Sequence, residues 1–430
     1  MKYLKPIVLG LAAAGIVAYA DPSVADLQSQ VDQLQAHVNS MSAGAPMAGV
    51  HTNAALSQSM LSTQMGKVGN IQTLMNAQKS GALADGVTIG GFAEASAIYE
   101  RVSQAGSTDV SALTTHVSDM ASNTTGTGNA SQLVIPRLEL NVIANLNQWS
   151  MGYFSLDVRN LQLNSSQIMR VDSAFLTLGN LNQLPVYGFL GRNTIDFGSF
   201  QTVNLSTPSL NRLAFRAYGD ELGIGFMNYG FSGTFAFIND NQNTTRGDGV
   251  AFNTYTKHTD GIGEYAFNLG YGMNTSGADW HIGAGYLSGS KQGVTDQTGA
   301  YDFNAKVGFA GFDVMAEFTQ TIANMSAATN DKFRAWDLGG DYNFPLMGKA
   351  SKVTLDYSRV SALYAASQWV VGFDHNTFNN VWMGIEYAQS KGRYVAGSSG
   401  NVYTAAAQTV PSSLTGVSDM ALLFDVQGVF

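Results

Sequence analysis

From Val87 onward, apolar and polar positions alternate with a period of two. Leu138, Leu140, Val142, Ala144 and Leu146 interleave with Arg137, Glu139, Asn141, Ile143 and Asn145. One face is apolar and the other almost wholly polar. The same pattern returns at Tyr265/Phe267/Leu269/Tyr271, Phe303/Ala305/Val307/Phe309, Phe312/Val314/Ala316/Phe318 and Val381/Met383/Ile385/Tyr387. Successive side chains of a strand point to opposite faces, so this alternation predicts half-buried strands. About sixteen are expected. They begin near Val87, Arg137, Trp149, Met169, Val186, Leu222, Phe231, Gly263, Trp280, Tyr301, Phe312, Ala335, Lys352, Gln368, Val381 and Ala421. Short connections near Asn147, 179–185, 228–230, 272–278, 310–311, 345–350 and 374–380 interleave with longer ones at 103–130, 160–168, 193–220, 240–262, 288–300, 319–333, 359–367 and 389–418. Short turns at one end, long loops at the other and an even strand number are the signature of a barrel in an outer membrane. Hydrocarbon tolerates no unpaired backbone group, and only a closed barrel leaves a sheet without edges. The predicted fold is therefore all-β: a transmembrane antiparallel up-and-down barrel over 87–430, with both ends in the periplasm.

The N-terminal region has other periods. Lys2 and Lys5 precede the apolar stretch Ile7 to Val17, and Ala18-Tyr19-Ala20 forms an A-x-A site. Residues 1–20 thus read as a secretory signal peptide. Val24, Leu27, Val31, Leu34, Val38 and Met41 follow at spacings of three and four, which are a and d positions. Residues 21–42 are expected to form a periplasmic coiled-coil stalk. Three heptads are too few to hold alone, so an oligomer would have to support them. Residues 43–86 read as a linker with a short helix. The spacing does not place 54–80 in the periplasm or within a pore.

Composition sharpens this picture. Only 12% of the 430 residues are charged, against an average of about 25% for soluble domains. No apolar run is long enough for a helical span. A lipid-facing Arg or Lys costs about 2–4 kcal/mol at the bilayer midplane, which empties one strand face of charge. The formal charge of −9 argues against nucleic acid as a partner. Without cysteine there are no disulfides and no thiolate chemistry. The six histidines show no H-x-x-x-H or H-E-x-x-H pair. No enzymatic activity, metal or cofactor is expected. At the C-terminus Leu422, Phe424, Val426, Gly428 and Phe430 share one face. A last strand of this kind, with Phe424, Val426 and terminal Phe430, resembles the signal read by the barrel-insertion machinery.

The connection 193–220 is apolar for a solvated loop, with Ile195, Phe197, Phe200, Leu213 and Phe215. By analogy with sixteen-stranded porins, it is expected to fold inward. Arg192, Arg212 and Arg216 would then oppose Asp196, Asp220 and Glu221 at a pore constriction, setting up a transverse field. Arg137, Glu139 and Lys306 have polar-face parity and are expected to face the lumen. Sixteen strands leave an aqueous channel, and too little chain precedes the barrel for a folded plug domain.

The Val/Leu/Gln heptad stretch VADLQSQVDQLQAHV, the run Ile89-Gly-Gly-Phe-Ala-Glu-Ala95 and the block VYGFLGRNTIDFG (186–198) resemble the LbtU-type siderophore porins of Legionella and their Francisella FslE/FupA relatives. The resemblance implies an outer-membrane barrel with a periplasmic coiled coil that takes up a ferric siderophore by facilitated diffusion without a plug domain. A general diffusion porin for small hydrophilic solutes, trimeric through its stalk, is the alternative. A structural envelope barrel is a third reading. The stalk generates a prediction: a chain lacking residues 21–42 loses its oligomeric mass in light scattering. An unchanged mass would remove the stalk's role.

Overall fold

A computed structural model describes residues 50–54, 56–57, 60, 69–103, 128–159, 169–239, 262–275, 277–292, 296–322, 332–361, 366–392 and 417–430. The expected signal peptide and the heptads (Val24 to Met41) lie outside them. The chain divides into two units, Met1–Thr52 and Asn53–Phe430. Of the first, only the three-residue strand Val50–Thr52 is described.

The second unit is a barrel of sixteen strands. These are β1 (Gly86–Ser103), β2 (Gly128–Asn147), β3 (Ser150–Arg159), β4 (Met169–Leu178), β5 (Val186–Thr194), β6 (Tyr218–Asn228), β7 (Phe231–Asn239) and β8 (Ile262–Asn274). They continue with β9 (Ala278–Gln292), β10 (Asp296–Phe309), β11 (Phe312–Thr321), β12 (Arg334–Leu346), β13 (Lys349–Ser361), β14 (Ala366–Phe378), β15 (Val381–Gly392) and β16 (Val417–Val429). Each strand pairs with the next, and β16 closes the cylinder on β1 through Ser418↔Ser103 to Val429↔Phe92. Two helices accompany them, α1 (Asn70–Lys79) and α2 (Leu210–Phe215).

The connections sort to two ends. At the turn end they run from the two residues Gln148-Trp149 to the seven of 179–185. Tyr229-Gly230, Ala310-Gly311 and Met347-Gly348 have positive φ at both positions (48° and 84°, 49° and 86°, 53° and 74°). Those are the dihedrals of a two-residue type I′ hairpin, whose twist matches that of the flanking strands, with glycine at the second position. The other end carries the loops. The connection expected at 288–300 shrinks to 293–295, because β9 and β10 stay paired as far as Gln292↔Asp296. Polar residues such as Ser288 and Ser290 read as loop, yet a strand leaving the bilayer needs only a hydrogen-bonding partner, not apolar neighbours.

Side chains segregate by parity. Leu138, Phe154, Leu190, Phe267, Ile282, Phe303, Leu355 and Ile385 are exposed on the outer face. Glu94, Asn141, Ser155, Asp302, Glu317, Asp356 and Asp425 are buried on the inner one. Rings form a girdle at each end of the apolar band. Toward the turns, Phe231 meets Tyr271 (4.3 Å between centroids) and Phe312 meets Tyr342 (4.4 Å). Toward the loops, Trp336 meets Tyr357 (4.9 Å) and Tyr357 meets Trp369 (4.3 Å). On β12, Trp336 and Tyr342 stand six residues apart, about 20 Å along the strand, near the height of the apolar band of outer-membrane barrels.

This outer face makes a specific prediction. Leu355, mid-strand and exposed, replaced by Arg should destabilise the barrel in lipid bilayers by about 2–4 kcal/mol, read by urea unfolding in phospholipid vesicles. Leu355→Val should change it by less than about 1 kcal/mol.

Candidate functional site: the barrel interior

The segment 195–217 between β5 and β6 does not project outward but enters the interior. Its apolar residues supply the reason. Ile195, Phe197, Phe200, Leu213 and Phe215 are buried in one cluster with Ile238, Ala266, Leu287, Ala300, Ala335 and Val360 of the inner wall. Phe197 packs on Phe200 (5.0 Å), and Phe215 on Phe333 (5.3 Å). The wall makes room with small residues. At Gly285 of β9 a Cβ would lie 1.7 Å from the Phe197 carbonyl oxygen, so only glycine allows this approach.

Beyond Phe197 the segment has little ladder pairing of its own, and the wall satisfies its backbone instead. Glu317 of β11 accepts from the N–H groups of Ser199 (2.6 Å) and Phe200 (2.9 Å). Glu386 of β15 accepts from three, those of Leu205 (2.6 Å), Ser206 (2.9 Å) and Thr207 (2.9 Å). Ser206 Oγ donates to Glu94 of β1 (3.0 Å), and the Leu210 N–H donates to Ser358 Oγ of β13 (3.0 Å). Lys352 Nζ and Gln427 Nε2 donate to the carbonyls of Val203 (2.6 Å) and Leu205 (3.2 Å). The segment thus runs across the cylinder and is held on its far side. Such hydrogen bonds contribute about 0.5–1.5 kcal/mol each, and leaving a buried N–H without its acceptor costs about 1–3 kcal/mol. Ser209 caps α2 by accepting from the Arg212 N–H (3.3 Å).

A second element occupies the interior. Helix α1 packs Ile71, Leu74 and Met75 against Ile143, Met151, Tyr153, Phe175, Tyr187 and Phe189 of β2 to β5. Those wall residues face inward but are apolar, which is why a helix rather than water covers them. Gln78 Nε2 donates to Asn145 Oδ1 of β2 (3.0 Å), and Asn182 of the 179–185 turn donates to the Lys79 carbonyl (3.3 Å). Gln72 Nε2 donates to Asp196 (3.2 Å), joining the helix to the inserted segment. The open channel expected from strand number is therefore partly filled, by a helix too small to be a folded plug domain.

The residues expected at a constriction divide. Arg212 and Arg216 are buried in the interior, with the Arg216 guanidinium 4.5 Å above the Tyr218 ring. Glu221 is buried on the inward face of β6. Asp196 accepts from Thr234 Oγ1 (2.9 Å) and Asn268 Nδ2 as well as from Gln72. Burial pushes its carboxyl above the usual aspartate range, and these hydrogen bonds oppose the shift. Arg192 and Asp220 do not join them. They have the parity of exposed Leu190 and Leu222 and stand 3.9 Å from each other on the outer face. Arg192 looked inward from its place beside the segment, but Gly191 (φ 140°) breaks no parity between Leu190 and Arg192.

Arg137 and Glu139 face inward and pair at 2.6 Å, with Asp157 3.5 Å away and the Phe92 ring 4.7 Å below the guanidinium. Lys306 faces inward and stays half exposed, 4.0 Å from Asp313. Phe424 and Val426 have outward parity on β16, and the Phe430 carbonyl accepts from Ser57 Oγ (2.8 Å) and the Gly91 N–H (3.0 Å).

The least filled part of the wall lies on β8 to β12 toward the turn end, around His281, Asn304, Lys306, Asp313 and Asp341. Glycines floor it. A Cβ would come within 2.8 Å of His281 Nε2 at Gly270, 2.5 Å of Asn304 Oδ1 at Gly283 and 2.6 Å of Asp313 Oδ1 at Gly308. The polar side chains therefore lie flat over these glycines, along the wall. Among the described residues no group of three His, Cys, Asp or Glu is placed to hold a metal ion.

Parity located Glu317 and Glu386 on the inner face, but nothing in the sequence paired them with a segment more than a hundred residues away. The inward apolar positions of β3 to β5, Met151, Tyr153, Phe175, Tyr187 and Phe189, were the legible trace of α1.

No protein-family model matches the chain. Over 153 residues, 35% of its length, it is 25% identical to a UPF0422 protein of Coxiella burnetii, and the match spans 30% of that protein. Solved structures resemble it in fold. An anion-selective porin from Comamonas acidovorans aligns with a TM-score of 0.52 at 14% identity, over 80% of this chain and 99% of the porin. OmpF of Salmonella typhi, in complex with daunomycin, aligns at 0.51 and 13%, over 80% and 98%. OprB of Pseudomonas putida aligns at 0.51 and 9%, over 84% and 97%. The fold is that of the sixteen-stranded porins.

The anchoring predicts that Glu386→Leu, which leaves three buried N–H groups without their acceptor, lowers unfolding free energy in detergent by about 3 kcal/mol. Glu386→Gln, which keeps one acceptor oxygen, should lose less than half of that.

Proposed function

We propose that the protein is an outer-membrane channel through which small hydrophilic solutes diffuse past a constriction formed by segment 195–217. The observation that carries this reading is the segment's course across the cylinder, fixed by Glu317 and Glu386 on the opposite wall. The apolar outer face and its two aromatic girdles support a bilayer location. The turn end, where β1 begins and β16 ends, is assigned to the periplasm, and the loop end to the exterior. Half-buried Asp196 borders the constriction, buried Arg212, Arg216 and Glu221 set the charge behind it, and Arg137 with Glu139 stiffens the wall. Arg192 and Asp220 are left out of it.

Within this reading, the cargo is a ferric siderophore taken up by facilitated diffusion. The sequence resemblance supports it, and two arginines in the inserted segment would suit the polycarboxylate siderophores that the resemblance implies, despite the acidic total charge. General diffusion is the second reading, favoured by the likeness in fold to the anion-selective porin of Comamonas acidovorans. The heptads would join three copies, and terminal Phe430 would engage the insertion machinery.

In planar bilayers, Arg212→Ala combined with Arg216→Ala should shift reversal potentials toward cations in a salt gradient, whereas Arg192→Ala should not. Equal selectivity in all three would defeat the constriction. Liposome swelling separates the two cargoes: a siderophore channel passes graded sugars poorly, while a general porin admits them by size. Cells lacking the gene should take up ferric siderophore several-fold more slowly under iron limitation, and normal uptake would end the siderophore reading.

A further inference from the structure

Charge on the outer face of the barrel is unevenly placed. Across the six adjacent strands β12 to β16 and β1, every aspartate and glutamate whose side chain is described has inward parity. The outward loop-end positions instead hold Arg334, Arg359, Lys391 and Arg101, all exposed. The register places three of them together. Arg359 pairs across with Trp336 on one side and with Ser367 on the other, and Ser367 pairs with Lys391. At about 4.8 Å per strand, Arg359 and Lys391 stand about 10 Å apart in one row. Arg334 is two residues beyond Trp336, and Arg101 is two residues beyond Tyr99 across the β16–β1 seam. Among the described residues none of the four has an ion-pair partner, whereas Arg192 on the far side of the barrel is met by Asp220. Among the described residues of these strands the remaining outward cation, Lys349, sits at the turn end and donates to Asn379.

Their height is informative. Interfacial aromatics mark the headgroup level. Trp336, Tyr357 and Trp369 form the loop-end girdle, and Arg359 follows Tyr357 by two residues, about 7 Å further out. Four exposed like charges, in a chain whose formal charge is −9, repel one another unless an anion lies between them. The anion available at that height is a lipid headgroup, and guanidinium matches phosphate oxygens in a fork.

We propose that Arg101, Arg334, Arg359 and Lys391 form a docking face for the phosphate groups of the outer-leaflet glycolipid, seating it against β12 to β16 and β1. This rests on the outer-membrane orientation given above. It is independent of what passes through the lumen.

The test uses the full chain refolded in detergent, with purified lipopolysaccharide carrying both lipid A phosphates as the probe and native mass spectrometry as the readout. Wild type should bind it at least tenfold more tightly than the dephosphorylated glycolipid. The combined Arg101→Gln, Arg334→Gln, Arg359→Gln and Lys391→Gln variant should lose at least tenfold, while interior Lys306→Gln should lose nothing. Equal binding by the fourfold variant, equal binding of the dephosphorylated glycolipid, or full displacement by an equal concentration of phosphatidylglycerol would each overturn the proposal. Arg359→Gln alone, with its β-sheet circular dichroism retained, carries the test if the fourfold variant does not fold. A chain that binds the glycolipid in detergent yet conducts nothing in bilayers would sink the channel reading and leave this one standing.

Discussion

Closure of the sheet between β16 and β1 is the constraint on which the rest depends. Twelve register pairs, from Ser418↔Ser103 to Val429↔Phe92, turn an open sheet into a cylinder without edges. In hydrocarbon an unpaired backbone group costs several kcal/mol, so an open edge would not persist there. Once closed, the sheet has two faces with opposite demands. The outer face must be apolar, and Leu355, Ile385 and Leu422 satisfy that. The inner face is free to carry charge, and it holds nearly all the carboxylates of β10 to β16.

Those carboxylates have a structural task before any transport task. A chain segment drawn into a barrel brings backbone N–H groups with it, and these need acceptors away from bulk water. Glu317 and Glu386 supply them from strands on the opposite wall. The same bonds compensate the carboxylates for their own burial. Apolar packing of Phe197, Phe200 and Phe215 draws the segment in, and the hydrogen bonds decide where along the wall it lies. Polarity therefore fixes the geometry of the narrowing, while the hydrophobic effect supplies much of its stability.

Two halves of the interior follow different rules. Beside β2 to β5 the wall is lined with Ile143, Tyr153, Phe175 and Phe189, and α1 covers it. Beside β8 to β12 the wall is glycine and flat polar side chains, and toward the turn end these side chains stay partly exposed. A helix of ten residues is enough to create this asymmetry because apolar wall positions gather on adjacent strands.

The sequence alone determined the strand count, the alternation of turns and loops, and which side of each strand faces out. Period two is a local property, set by backbone geometry within each strand, so no partner need be known to read it. It also exposed the unusual apolar content of 193–220, whereas the inward course of that segment was an expectation by analogy until the tertiary structure decided it. Tertiary structure alone decided what holds the segment, since Glu386 and Ser206 are 180 residues apart. It placed Arg192 and Asp220 on the outer face, settled α1 inside the lumen and aligned Arg359 with Lys391. Each of these depends on cross-strand register or on contacts between distant segments, and alternation along a single strand carries no information about either.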